Sequence, residues 1–121
     1  MKIRKLLKEY SPPLKEKRVG YKILYSYAGV VYTKSLDEVM TGEETIHGRI
    51  YPFPDSDVNY PSGFSVFVNR EDAKRVFHEC GYDNGSFFIE EVEYTGIVAE
   101  GYGEDNIRID IAREIKFVKV L

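Results

Sequence analysis

Three carboxylates crowd one short run of this 121-residue chain: Glu90, Glu91 and Glu93, all within Ser86 to Tyr94. Paired acids can serve as general acid and general base when their surroundings drive their proton affinities apart. The run is rich in β-branched and aromatic residues and reads as a strand, so a period of two sets Glu91 and Glu93 on one face. Glu90 falls on the other face, with Phe88, Val92 and Tyr94. If the aromatic face turns to the core, Glu91 and Glu93 meet solvent, and a solvated strand face accounts for them without chemistry.

The other reactive side chains are sparse. His78 and Cys80 lie two apart in a predicted helix, where about 200° separates them, too far to hold one ion together. His47 is the only other imidazole, and no spacing of His, Cys, Asp or Glu matches a metal site. Neither a metal nor a cofactor is expected. Gly101-Tyr102-Gly103 lacks the third glycine, following helix and lysine of a phosphate-cradling loop and reads as a β-turn. Ser62-Gly63-Phe64-Ser65 lacks the frame of a nucleophile elbow.

A different kind of site is suggested by the segment framed by Pro52, Pro54 and Pro61. A long irregular stretch in a compact domain is disproportionately functional, which makes residues 52–63 a candidate binding rim carrying Tyr51, Phe53, Asp55, Asp57 and Tyr60.

These residues need elements to position them. Ile3, Leu6, Leu7 and Tyr10 recur at helical spacing, which predicts a short N-terminal helix stopped by Ser11-Pro12-Pro13, with an extended connector over 11–19. Tyr21 to Thr33 predicts a hairpin turning at Ala28-Gly29. A helical turn is expected around Leu36 to Met40 and a strand over Ile46 to Tyr51. The clearest unit is the strand Phe64 to Val68 leading into a helix over 69–80, with Asn69 as N-cap, Glu71 and Asp72 in the first turn, and Gly81 closing it. Cys80 then reads as a small core residue.

Past a turn at Tyr82 to Gly85, the Ser86 to Tyr94 strand either continues past a bend into Gly96 to Glu100 or is followed by a separate short piece. A second turn spans Gly101 to Asn106. The final strand alternates through Ile107, Ile109 and Ile111 and keeps that parity to Ile115 and Phe117. Val118 and Val120 then switch faces, which predicts a bulge or break near Ala112 to Glu114. The fold class expected is α+β, a mostly antiparallel sheet packed against the 69–80 helix. One domain over 19–121 is expected to follow a basic segment over 1–18.

Composition bounds the partners. A chain with 43% hydrophobic and 31% charged residues fits one soluble domain, and its longest uncharged apolar-rich run, Ile23 to Thr33, is broken by Ser26 and Gly29 and is too short to cross a bilayer. A single cysteine and the lack of a secretory leader point to a reducing cytoplasm. Residues 1–18 carry a net charge of +5 and the remainder −8. Such an arm can bind polyanions, but an acidic body argues against nucleic acid as the main partner. The absence of glutamine, with few Met, Cys and Asn and many Glu and Lys, suits a thermophilic source.

Two resemblances follow from particular residues. Gly63-Phe64 before an apolar strand, Glu71-Asp72-Ala73 opening a helix, Glu91-Val92-Glu93 with Gly96 and Val98, and Ala112-Arg113-Glu114-Ile115 together resemble a loosely defined group of small uncharacterised domains of archaeal and phage-type proteins. That group implies no activity. The layout of a strand, an acid-opened helix and a glutamate-bearing strand is also similar to ADP-ribosyltransferase-like folds. This second resemblance implies an NAD-type substrate, with Lys22 where those enzymes place Arg or His, Ser65 on a middle strand, and Glu91 or Glu93 as the later glutamate. The reading that needs the fewest assumptions is a non-catalytic binding or regulatory module with a protein partner or self-association. An ADP-ribosyltransferase-like enzyme and a nucleic-acid accessory using the basic arm are the alternatives.

Overall fold

The computed structural model describes residues 2–27, 30–33, 39–41, 47–53, 63–81 and 87–121. These residues form a mostly antiparallel β-sheet with a single α-helix among them. The spine is β7 (Phe87–Tyr102), paired along one edge with β8 (Arg108–Val120) through a turn at Glu104–Asn106. Asp105 and Asn106 take positive φ there, a conformation that short polar side chains tolerate.

The other edge of β7 is shared by two strands in line. β1 (Lys5–Leu14) runs antiparallel to it from Lys5 opposite Tyr102 to Leu14 opposite Ile97. β2 (Arg18–Tyr27) continues in the same direction, from Arg18 opposite Tyr94 to Tyr25 opposite Phe87. β2 then pairs with β3 (Val30–Thr33), and β3 with β4 (Val39–Thr41).

The same device recurs on β8. Its second edge carries β5 (Ile50–Pro52) beside Glu114 to Lys116 and β6 (Phe64–Phe67) beside Ile109 to Ala112. Phe53 N–H extends the first ladder by donating to Arg113 O at 2.7 Å. The chain therefore leaves β8 at Arg113 and rejoins it at Ala112, so residues 54–62 connect two neighbouring points. β6 also touches β2, with Tyr21 opposite Phe67, and the pairings β7–β8–β6–β2–β7 close a ring.

Ring closure divides the apolar residues into two layers. Leu24, Phe64, Val66, Val92, Tyr94, Ile97, Ala112, Ile115 and Phe117 fill the interior, together with Tyr51. Outside, Ile23, Phe67, Ile89, Val98, Ile109 and Ile111 form a floor beneath α1 (Arg70–Glu79), which contributes Ala73 and Val76. β6 is thus buried on both sides, Phe64 and Val66 inward and Phe67 under the helix. The interior is tightly filled: a Cβ at Gly20 would stand 2.6 Å from Val66 Cγ1 and 2.9 Å from Tyr94 Cε1.

Several expectations hold. The 21–33 hairpin, the strand-to-helix unit and the long bent strand are present, the last as one strand with Gly96 at φ +68. Gly81 closes α1 with φ +69, and its N–H donates to His78 O. The facing of β8 does change near Ala112 to Glu114, but before Ile115: Ile109 and Ile111 lie under the helix while Ile115 and Phe117 lie in the ring. β7 changes at the same level, at Gly96, whose missing side chain leaves room for Arg113.

Others are corrected. The N-terminal helix is a strand: a four-residue apolar stripe is too little to hold an isolated short helix, whereas β7 offers a full ladder of backbone partners. The strand also absorbs Pro12 and Pro13, which an edge position accepts, and so the first part of the expected connector, whose last residues, Arg18 and Val19, open β2. Val39 and Met40 belong to β4 rather than to a helical turn, whose other residues lie outside those described. The strand expected over 46–51 begins only at Ile50. Asn69 occupies the N-cap, but its side chain donates to Asp72 Oδ2 at 3.3 Å instead of capping the backbone. Cys80 is exposed, because α1 stops at Glu79 beyond the floor that covers Val76.

Candidate functional site

Two polar clusters interrupt the interior, at different levels of the ring. The first is built by the directly opposed pair Lys22 on β2 and Glu90 on β7. Both share the inward parity of Leu24 and Val92 and both are buried, Glu90 completely. The Lys22 ammonium donates to Ser65 O at 2.7 Å and lies 5.8 Å from the centre of the Phe64 ring, a cation–π distance. His47, half-exposed, brings Nε2 to 3.0 Å from Glu90 Oε1. Glu90 Oε2 is buried with no hydrogen-bond partner among the described residues.

A buried carboxylate oxygen left without a donor costs about 1–3 kcal/mol or more. The cluster is therefore chemically incomplete at one atom. A group presenting an N–H or O–H to that atom would gain a hydrogen bond in a place where water competes little.

The second cluster is complete. Arg18 donates to Glu100 Oε2 at 2.6 Å, to Asp110 Oδ2 at 3.0 Å and to Glu16 Oε2 at 2.8 Å. Tyr94 Oη donates to Asp110 Oδ2 at 2.7 Å, and Arg108 reaches Asp110 Oδ1 at 3.4 Å. Burial disfavours the charge on Arg18, but its bonds to Glu100, Glu16 and Asp110 outweigh that and hold its proton more tightly than usual. Burial first, then the bond to Asp110 and that residue's charge, push the Tyr94 phenol well above its ordinary value. Burial works against the Glu100 carboxylate as well, yet the Arg18 bond and charge, with Tyr10 and Arg108, hold it below its ordinary value. Every buried oxygen here has a donor, as expected of a cluster that ties β1, β2, β7 and β8 together.

The residues singled out from the sequence are dispersed. Lys22 and Ser65 meet, but through the Ser65 carbonyl; alternation along β6 turns the Ser65 side chain to the face of Phe67, away from Phe64 and the ring interior. Glu91 and Glu93 share the outer face of β7, half-buried. Glu93 pairs with Lys116 at 3.2 Å and Lys17 at 3.8 Å in a shallow groove shared with Thr95 and Glu114. Of the expected rim, Tyr51 is a buried residue edge-on to Phe117 with Arg49 over its ring. Phe53 is half-buried, edge-on to Phe64. Asp55, Asp57 and Tyr60 lie outside the described residues.

Sequence reasoning passed over Glu90 and His47 as a pair, although the parity that places Glu90 on the core face was readable. A carboxylate on an otherwise apolar strand face is the signal that could have drawn attention to it.

No protein-family model, curated protein or solved structure matches this chain. No helix among the described residues is long and apolar enough to cross a membrane.

Proposed function

We propose that the protein is a non-catalytic binding module whose ligand site is the Glu90 end of the ring interior. The observation that carries this reading is the unpartnered Glu90 Oε2, on the residue opposite Lys22 in the ladder and behind the half-exposed His47 imidazole. The arrangement supports holding and orienting a donor group. A nucleophile does not join it among the described residues, since Ser65 points to the other face of β6 and Cys80 is exposed at the end of α1. The ligand class that fits is a small molecule or side chain with an amine, guanidine, amide or hydroxyl donor.

A thermal-shift screen of small amines, guanidines, amides and alcohols against the whole chain and its Glu90→Gln variant tests the proposal. A ligand at a hundred times its Kd stabilises the folded state by about 2.7 kcal/mol, a shift of several degrees for a domain of this size. At least one donor class should raise the midpoint of the parent and lose that effect in Glu90→Gln. Equal shifts in the two proteins, or none from any class, would overturn the assignment.

A further inference from the structure

The outer edge of β1 is open to a further strand among the described residues. β1 ends the strand order, paired with β7 on one side and with no strand on the other among the described residues. An edge strand presents a row of backbone N–H and C=O groups ready for another strand. Lys5, Leu6, Leu7, Lys8 and Glu9 are all exposed, with a register shift between Leu6 and Lys8, so this stretch of the strand is uncovered among the described residues. Leu6 is 46% and Leu7 49% exposed.

We propose that Lys5–Tyr10 is a docking edge for an acidic peptide, which adds to the sheet as an extended antiparallel or parallel strand. The stretch is about 20 Å long, enough for a strand of ordinary length. Pro12 and Pro13 lack N–H groups and end the usable ladder on the C-terminal side. Leu6 and Leu7 supply exposed apolar contacts for the added strand, and Lys5 and Lys8 supply opposite-charge partners for carboxylates across the new ladder. Lys2 and Arg4 continue the positive potential ahead of it, Arg4 being already paired with Glu104 at 2.7 Å.

The charge distribution selects among occupants. A second copy would bring another arm of net charge +5 against this one. A nucleic acid backbone accepts hydrogen bonds but donates few, leaving the outward carbonyls of β1 without partners. An acidic extended peptide satisfies the ladder and the lysines together. This edge is separate from the Glu90 site, and its assignment stands or falls independently of it.

The test uses a labelled peptide alternating glutamate and valine, the same peptide methylated on every backbone nitrogen, and an oligodeoxythymidine, each titrated against the whole chain by fluorescence anisotropy. Binding of the first peptide is expected, with amide shift changes centred on Lys5–Tyr10, and with loss on methylation. A Lys5→Glu/Lys8→Glu variant should bind about tenfold or more weakly while unfolding at the parent's midpoint, because both side chains are exposed. Failure of the first peptide to bind, equal binding of the methylated peptide, shift changes centred elsewhere, tighter binding of the oligonucleotide, or self-association through β1 would each overturn the proposal.

Discussion

The side chains of Tyr94 on β7 and Asp110 on β8 meet inside the strand ring although the two residues stand opposite Ile115 and Glu100, and the phenol donates to the buried carboxylate at 2.7 Å. Asp110 is further held by Arg18 and Arg108, so Tyr94 is one of three donors to a charge that water does not reach. Tyr94→Phe keeps the ring shape and removes one of them. The variant is expected to remain folded and to lose about 1.5–3 kcal/mol of stability, read from urea unfolding of both proteins. A loss of only a few tenths would show that the two arginines suffice.

The same phenol reports on alkaline pH. Its folded value is raised, so the neutral hydroxyl stabilises the fold fully below the ordinary tyrosine value of 10.0, and that stabilisation fades as pH climbs toward the folded value. In the native protein, the tyrosinate absorbance gained on alkaline titration should be the same for the parent and for Tyr94→Phe. A smaller gain in the variant would mean that Tyr94 ionises in the folded state.

Acid acts through Glu100. Its folded value lies below the ordinary 4.5, so the ionised carboxylate stabilises the protein above that pH. The contribution is lost as pH falls through the folded value and Arg18 gives up a partner. Glu100→Gln should destabilise the protein at neutral pH and flatten the acid limb of its stability curve. Parallel acid limbs for parent and variant would contradict this.

Gly20 reports on interior packing. A methyl group there meets Val66 Cγ1 at 2.6 Å, Phe67 O at 2.7 Å and Tyr94 Cε1 at 2.9 Å. One of these contacts is backbone and the others are ring and branched side chain in a filled interior, so relief requires the strands to move. Gly20→Ala should cost about 1–3 kcal/mol, seen as a lower denaturation midpoint, and should displace the side-chain resonances of Val66 and Tyr94.

The connection between β5 and β6 leaves and rejoins β8 at adjacent residues, Arg113 and Ala112. Replacing residues 54–62 with a short glycine-containing link should therefore leave stability within about 1 kcal/mol of the parent, because loop-closure entropy changes slowly with length. A collapse of stability in that variant would show that the segment is packed as part of the core.

What could be read in advance follows the range of the interactions. The helix over 70–79 was legible because its cues are local: an apolar strand, Asn69, two acids and Gly81 within a few turns. The parity of Glu90 against Glu91 and Glu93 was legible for the same reason. Ile3, Leu6, Leu7 and Tyr10, by contrast, satisfy helical spacing while their actual partners, Ala99 to Tyr102, lie at the other end of the chain. The contact of His47 with Glu90, and of Lys22 with Ser65, depends on closing the ring, and no local pattern announces a closure.

The in-line placement of β1 and β2 along β7 has a consequence for biosynthesis. Lys5 finds its rung only when Tyr102 exists, and Arg18 only when Tyr94 does, so β1 and the start of β2 are among the last stretches to acquire partners, while Leu24 to Tyr27 can pair with β3 as soon as it is made. Such long-range pairing slows folding, and the ring cannot close on the ribosome before most of the chain has emerged. Until then the Arg18 to Lys22 stretch lacks its β7 partners, and the lysines and arginines scattered through the first eighteen residues favour keeping neighbouring nascent chains apart by mutual repulsion.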